Sequence, residues 1–228
     1  SGITFRQGKA LLFCPFGIAL FDMERGEVLE SYQPGFGEVL RVNDLAYDED
    51  YYYAATQNGL FYAEVNAPDL YNPGSWKQVT AFPDYTRAME DVELFGRHII
   101  VSLRKKGQEI SVYYLTDLNN ATLLLEEKVK TLKSTPEKIY VGLSDKIKIY
   151  NQDLNLVEEI TEYASNPSRP NSIFMDSERD LWIGDAREGL IRIKGNSAES
   201  IIPDGPATDH AFEIVSIGDR ILSVPGGY

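Results

Sequence analysis

The chain has 228 residues, of which 43% are hydrophobic and 11% aromatic, enough apolar material for one large domain or two small ones. With 22 basic against 35 acidic side chains the formal net charge is −13, so most of the surface would repel a phosphate backbone, which argues against a nucleic-acid partner. No apolar run approaches the roughly 18 to 20 residues of a membrane-crossing helix, and no cationic start precedes an apolar stretch, so the chain reads as neither a membrane span nor an unprocessed precursor.

The start at Ser1-Gly2, without an initiator methionine, reads as a trimmed end, and the chain as a segment of something longer. Residues 2–32 hold β-prone runs, one of them Ala10-Leu11-Leu12-Phe13-Cys14-Pro15. Cys14 is the lone cysteine; it forms no intrachain disulfide, reads as a small buried hydrophobe rather than a reactive thiol, and leaves the redox compartment open.

The next unit is the clearest. Val42 to Asp48, Asp50 to Thr56, Gly59 to Val65 and Trp76 to Phe82 are four runs rich in β-branched or aromatic residues, separated by Asp, Asn, Gly or Pro. That is the grammar of a four-stranded antiparallel meander. Within it, Tyr51-Tyr52-Tyr53 alternates, so Tyr52 faces one neighbouring unit and Tyr51 and Tyr53 the other. Trp76, at the start of an outer run, is the less secure core tryptophan.

Looser copies follow over 88–128 and 129–163, the first containing Tyr113-Tyr114 and the basic run Arg104-Lys105-Lys106-Gly107. Only residues 119–133 could sustain a helix of any length, and Leu123-Leu124-Leu125-Glu126-Glu127 fits an outer strand equally well. A close copy returns at Asn171 to Asp176, Asp180 to Asp185, Gly189 to Ile193 and Glu199 to Ile202, with Trp182 read as core. Taking the turn before each third strand as a marker gives Gly17, Gly59, Gly107, Asp145 and Gly189, spaced by 42, 48, 38 and 44 residues. Propeller blades repeat at about 40 to 50 residues, and four-stranded units at that period without helices pack radially.

The fold class is therefore all-β: a β-propeller of four-stranded antiparallel blades, read as a single propeller domain or propeller segment. Five full blades are expected at about 2–40, 41–87, 88–128, 129–168 and 169–205, with third strands beginning near Gly17, Gly59, Gln108, Lys146 and Gly189. Residues 210–228 supply two strands of a sixth, so either the circle closes unusually or, as we expect, the rest lies beyond the end of this chain.

No constellation for chemistry stands out. His98 opens a strand and reads as structural, while His210 falls in a loop, and two histidines with one cysteine lack a zinc spacing. Gly-x-Ser-x-Gly is absent. Asp48-Glu49-Asp50 and Asp176 to Asp180 sit in turns between first and second strands and lack the bending glycine of a calcium loop, so hairpin chemistry explains them. No catalytic, cofactor or metal residue is assigned. Arg104, Lys105 and Lys106, a compact basic run in an acidic protein, are the candidate contact for an acidic partner or anionic glycan, against the plain reading of a solvated hairpin tip.

Several separated segments carry a family resemblance: Gly17 to Asp22 with Val28 to Tyr32; Val42 to Asp48 with Tyr53-Ala54-Ala55-Thr56 and Gly59-Leu60; Asp69-Leu70 and Ser75-Trp76; Asp180 to Asp185 with Gly189-Leu190; and Pro203 to Ala207 followed by Ala211-Phe212 and Val224-Pro225-Gly226-Gly227. In this order they resemble the N-terminal propeller region of PorZ-type proteins of the type IX secretion system of Bacteroidetes. Single blade signatures are shared with periplasmic propellers of two-component regulators. The resemblance is weakest over 88–163.

The resemblance implies a non-enzymatic scaffold, without cofactor, at the periplasm or outer-membrane cell surface. Its partners would be proteins of an outer-membrane attachment complex, among them a sortase-like subunit, a β-barrel and a shuttle protein, which links cargo to anionic lipopolysaccharide. Lipopolysaccharide recognition in the family is linked to a C-terminal domain outside this chain, so no sugar-binding residue is carried over. The alternative is a periplasmic glycan-sensing propeller of a two-component regulator; there a sandwich, a membrane span and a kinase would follow, whereas the PorZ type continues into more propeller and a sandwich.

Overall fold

The computed structural model describes residues 2–104, 110–163, 166–195, 197–201, 211–217 and 220–225. Every described regular element except one short 3₁₀ turn is a strand. The chain divides into two compact units, Ser1–Glu126 and Glu127–Tyr228.

The first unit holds three blades. Blade 1 is β1 (Gly2–Arg6), β2 (Lys9–Cys14), β3 (Gly17–Asp22) and β4 (Glu27–Tyr32); blade 2 is β5 (Val42–Tyr47), β6 (Tyr51–Thr56), β7 (Gly59–Glu64) and β8 (Lys77–Gln78). Blade 3 is β9 (Met89–Phe95), β10 (His98–Arg104), β11 (Ile110–Asp117) and β12 (Asn120–Glu126). In each, the strands pair antiparallel in sequence order. The 119–133 stretch is thus the outer strand β12, a connection and the start of a further strand at Thr131, not a helix.

Burial grades across each blade as stacked sheets require. The second strands β6 and β10 are buried on both faces, whereas the outer β4 is mostly exposed. Alternation then splits the tyrosine triplet as expected. Tyr52 joins Leu11, Phe13 and Trp76 in the seam between blades 1 and 2, while Tyr53, with Tyr51 beside it, joins Met89, Val101 and Tyr113 between blades 2 and 3. Each fully buried Leu, Ile or Phe in such a seam contributes roughly 1.5–3 kcal/mol.

Two glycines fix the entry to third strands. Gly17 (φ 117°) and Gly59 (φ 121°) are left-handed, and a Cβ would lie 2.3 Å from the Tyr32 carbonyl oxygen or 2.2 Å from that of Tyr85, so no other residue fits.

Blade 2 departs from the sequence reading at its edge. The run Trp76–Phe82 forms a strand only at Lys77–Gln78, because Pro73–Ser75 makes a 3₁₀ turn capped by Asn72 and delivers Trp76 inward. Trp76 is 1% exposed and its Nε1 donates to the Leu70 carbonyl at 3.0 Å.

The second unit holds blade 4, β13 (Thr131–Ser134), β14 (Ile139–Gly142), β15 (Ile147–Tyr150) and β16 (Leu156–Ile160), then a two-stranded hairpin, β17 (Glu162–Tyr163) and β18 (Asn166–Pro167). Blade 5 follows as β19 (Pro170–Met175), β20 (Leu181–Asp185), β21 (Gly189–Lys194) and β22 (Ser197–Ile201). Tyr140, Ile147, Ile149, Tyr163, Ile173 and Ile183 pack between these two blades. Beyond them β23 (Ala211–Ile217) and β24 (Arg220–Pro225) pair antiparallel as a two-stranded sheet. The five third strands begin at Gly17, Gly59, Ile110, Ile147 and Gly189.

Candidate functional site

The acidic turns are built as hairpin chemistry demands. Asp48 Oδ1 accepts the backbone N–H groups of Asp50 (2.9 Å) and Tyr51 (2.7 Å), and its Oδ2 accepts the Tyr53 hydroxyl at 3.0 Å. Asp176 does the same with Glu178 and Asp180 (both 2.9 Å), its Oδ2 taking the Trp182 indole N–H at 2.7 Å. Burial alone would raise the Asp176 carboxyl; the indole and the backbone donors outweigh it and hold it below its ordinary value. Among the described residues, no group of three or more His, Cys, Asp or Glu side chains is arranged to hold a metal ion.

Trp182 corrects the sequence reading. It is only half-buried, held at the blade surface by Asp176 and by the Arg192 guanidinium 5.3 Å over its ring. Arg192 is itself anchored through Nε (2.9 Å) and Nη2 (2.6 Å) to the buried Asp180. Cys14 is likewise half-buried, and its thiol donates to the Gly17 carbonyl at 3.4 Å.

The turns of blades 2 and 3 line a cleft in the first unit, about 420 Å³, whose lining includes Asp48, Tyr51, Tyr53, Arg97, His98 and Asp117. A second cavity of about 250 Å³ adjoins it across Tyr51 and Leu118 and reaches Tyr62 and Lys77. Tyr51 meets Tyr53 at 6.2 Å and Tyr62 at 5.7 Å, so a run of three tyrosine rings backs the groove. Asp117 is held below its ordinary pKa by the Asn120 side chain and the Asn119 N–H, so its charge is permanent at neutral pH. Burial, then the Arg97 charge, pushes the His98 pKa down, and its Nδ1 is sealed off without a partner. No hydroxyl or thiol hydrogen-bonds to this neutral ring among the described residues.

Sequence reasoning missed a carboxylate pair on adjacent first strands. Asp91 lies on β9, where Ser102 Oγ accepts its N–H (2.9 Å) and donates to its Oδ2 (2.6 Å), while Asp44 on β5 accepts the Val92 N–H at 3.0 Å. Burial first, and the Asp44 charge second, push the Asp91 carboxyl up to about 7. The only signal was acidic residues within the inner runs, Asp44 beside Asn43 in Val42–Tyr47 and Asp91 between Glu90 and Glu93 in Met89–Phe95, and their composition alone does not single out the buried pair.

Of the predicted partner-binding run, Arg104 ends β10 and its Nε donates to Glu90 Oε1 across the blade at 2.6 Å. Lys105 and Lys106 lie outside the described residues, as does His210.

With this geometry in hand, the comparisons with known proteins bear out the resemblance read from the sequence. Residues 1–77 match the family model of the PorZ N-terminal β-propeller domain of the type IX secretion system. A structure of PorZ, an essential bacterial surface component of that system in Porphyromonas gingivalis, aligns over 100% of this chain with a TM-score of 0.69 at 16% identity, and this chain spans 29% of it. The extracellular domain of a putative one-component system from B. thetaiotaomicron aligns over 98% (TM-score 0.70, 15% identity), this chain spanning 31% of it. A computationally designed protein, Ika8, aligns over 97% of this chain and 66% of its own length (TM-score 0.60, 11% identity). No curated protein sequence matches the chain. At these identities the structural likenesses carry the fold alone, and it is a β-propeller fold.

Proposed function

We propose that this chain is a propeller segment of a PorZ-like surface component, a non-catalytic scaffold that supports cargo attachment in type IX secretion through protein partners, outside the cytoplasm. The carrying observation is the match of residues 1–77 to the PorZ N-terminal propeller model, supported by a fold that aligns along the whole of this chain with 29% of PorZ. The groove between blades 2 and 3 agrees with it, since tyrosine rings and fixed charges suit recognition. Partners of the reading are the sortase-like and β-barrel subunits of an attachment complex, with anionic lipopolysaccharide engaged by a domain beyond this chain. Arg104, Lys105 and Lys106 stay within the proposal as a contact for an acidic partner or anionic glycan; reversing Lys105 and Lys106 tests it without breaking the Arg104–Glu90 pair.

A second reading, the sensing propeller of a membrane-spanning regulator, is favoured by the equal likeness to the extracellular domain from B. thetaiotaomicron. Deleting the coding region for residues 1–228 in the native host separates the two. Loss of cargo from the cell surface with transcription unaltered supports the scaffold. Intact cargo anchoring with a lost transcriptional response transfers the assignment to the sensor.

A further inference from the structure

A cavity of about 600 Å³ in the second unit opens between the first turns of blades 4 and 5. Its floor is apolar, with Met175 and the almost fully buried Tyr140, and its mouth carries Glu137, Lys138, Ser177 and Arg179. Asp176 also lines it, but both its oxygens are committed to the turn and to Trp182.

Arg179 is left-handed (φ 68°), a conformation shared among the described non-glycine residues with Gln7 (φ 49°) and Leu154 (φ 61°) and one that glycine, such as Gly8 (φ 75°) or Gly96 (φ 57°), adopts without strain. The turn does not need an arginine there, because its hydrogen bonds run through the Arg179 backbone N–H to the Asp176 carbonyl (3.1 Å) and through the Asp176 side chain. Backbone strain retained without local benefit points to a use for the side chain. That side chain, 80% exposed, crosses from blade 5 to blade 4, where Nη2 meets Glu137 Oε1 at 3.2 Å over the cavity. An exposed pair of this kind contributes little to folding, and salt and competing ions readily exchange its partners.

We propose that this cavity is a docking site for a glutamate or aspartate side chain on an acidic segment of a protein partner, with Arg179 taking the carboxylate that Glu137 supplies in the free chain. Glu137 is a polypeptide carboxylate already seated on the guanidinium, so an incoming glutamate reproduces its geometry. Lys138, 3.7 Å from Glu158, adds a second positive charge at the mouth. The apolar floor accepts the side chain next to the acid, and the arginine fork gives the carboxylate directionality that a lysine would not. The inference goes beyond the secretion reading and holds whether the chain serves a scaffold or a sensor, because its test uses the chain alone.

The test titrates the full chain with a blocked pentapeptide carrying one central glutamate between leucines, following the arginine Nε–Hε resonances, with the glutamine analogue as control. Saturable shifts of the Arg179 resonance by the glutamate peptide, at least tenfold weaker for the glutamine analogue, are expected. Arg179→Gly separates site from fold: it relieves the left-handed strain, so the melting temperature holds or rises while binding falls at least tenfold. Glu137→Gln removes the internal competitor and tightens binding severalfold. Equal binding of both peptides, unchanged binding in Arg179→Gly, or weakened binding in Glu137→Gln overturns the proposal. So does saturation by free glutarate with none by the peptide, which would make the cavity a small-acid site.

Discussion

Blade 2 and blade 5 are the two clearest copies of the repeat, and they treat their tryptophans in opposite ways. In blade 2 Trp76 is sealed at 1% exposure in the seam with blade 1, reached from outside the regular sheet by a 3₁₀ turn. In blade 5 Trp182 is the second residue of the second strand, within the strongest sequence signature, yet it is half-buried and serves as a hydrogen-bond donor to a turn aspartate. The position in blade 2 that donates to the turn aspartate is held by Tyr53. What the repeat conserves between the two copies is therefore the donor to the aspartate, not the ring. Residue type alone ranks the two tryptophans wrongly, because an indole with a fixed N–H partner at the blade end is doing a different job from one filling a seam.

The sharpest way to break this comparison is to truncate both rings. Trp76→Ala empties a seam position and orphans the Leu70 carbonyl, so a loss of about 3–5 kcal/mol is expected, a fall in melting temperature on the order of 10 °C. Trp182→Ala removes a half-buried ring, one hydrogen bond and a cation–π contact, for about 1–2 kcal/mol. Urea denaturation of the two variants side by side measures the gap; equal losses would mean that Trp182 carries the core role its signature suggested.

The order and type of the strands were legible because turn chemistry is local: Asp48 and Asp176 announce the first turns, and Gly17, Gly59 and Gly189 the third strands, each for a reason contained within a few residues. The edge of blade 2 was not legible, since a β-prone composition over Trp76–Phe82 says nothing of a preceding 3₁₀ turn that rotates Trp76 inward. The clefts were hidden for the same reason. Tyr51, Arg97, His98 and Asp117 come from three strands and one turn of two blades, and only the packing of those blades makes them neighbours. Arg179 gave no signal at all, because its left-handed backbone is visible only in the structure.

The first strands of blades 2 and 3 allow a finer comparison, since Asp44 and Asp91 place two carboxylates on adjacent inner strands where the outer surfaces have room to separate theirs. Because the folded Asp91 pKa, about 7, lies above the unfolded value of about 4, the folded state binds the extra proton between those limits. The stability so gained is full below about pH 4 and is lost as pH rises through 7. Asp91→Asn keeps an oxygen for the Ser102 hydroxyl but cannot ionise. It should be more stable than the parent at pH 8, by on the order of 1 kcal/mol, with the advantage vanishing by pH 4. Melting temperatures across that range, compared between variant and parent, decide it; a constant offset at all pH values would remove ionisation of Asp91 from the explanation.

The smallest expected effect concerns the last residue of the second strand, where the blades solve one problem with three chemistries. Thr56 donates its hydroxyl to the Gly59 carbonyl at 2.8 Å and accepts the Asn58 N–H at 3.1 Å; Asp185 accepts the Arg187 and Glu188 N–H groups; Cys14 donates its thiol to the Gly17 carbonyl at 3.4 Å. Each stands opposite the glycine that opens the third strand. If Cys14 is simply the blade 1 version of this cap, then Cys14→Thr replaces a weak donor by a stronger one in the geometry that blade 2 already uses. The change should stay within about 0.5 kcal/mol of the parent, on the stable side. Thr56→Val, which keeps the shape and removes both hydrogen bonds, should cost about 1–2 kcal/mol, because the Asn58 N–H and the Gly59 carbonyl lose a partner at a fully buried residue. A Cys14→Thr variant that loses more than about 1 kcal/mol would show that the thiol is not interchangeable with the blade 2 hydroxyl, and the equivalence of the three caps would end at blade 1.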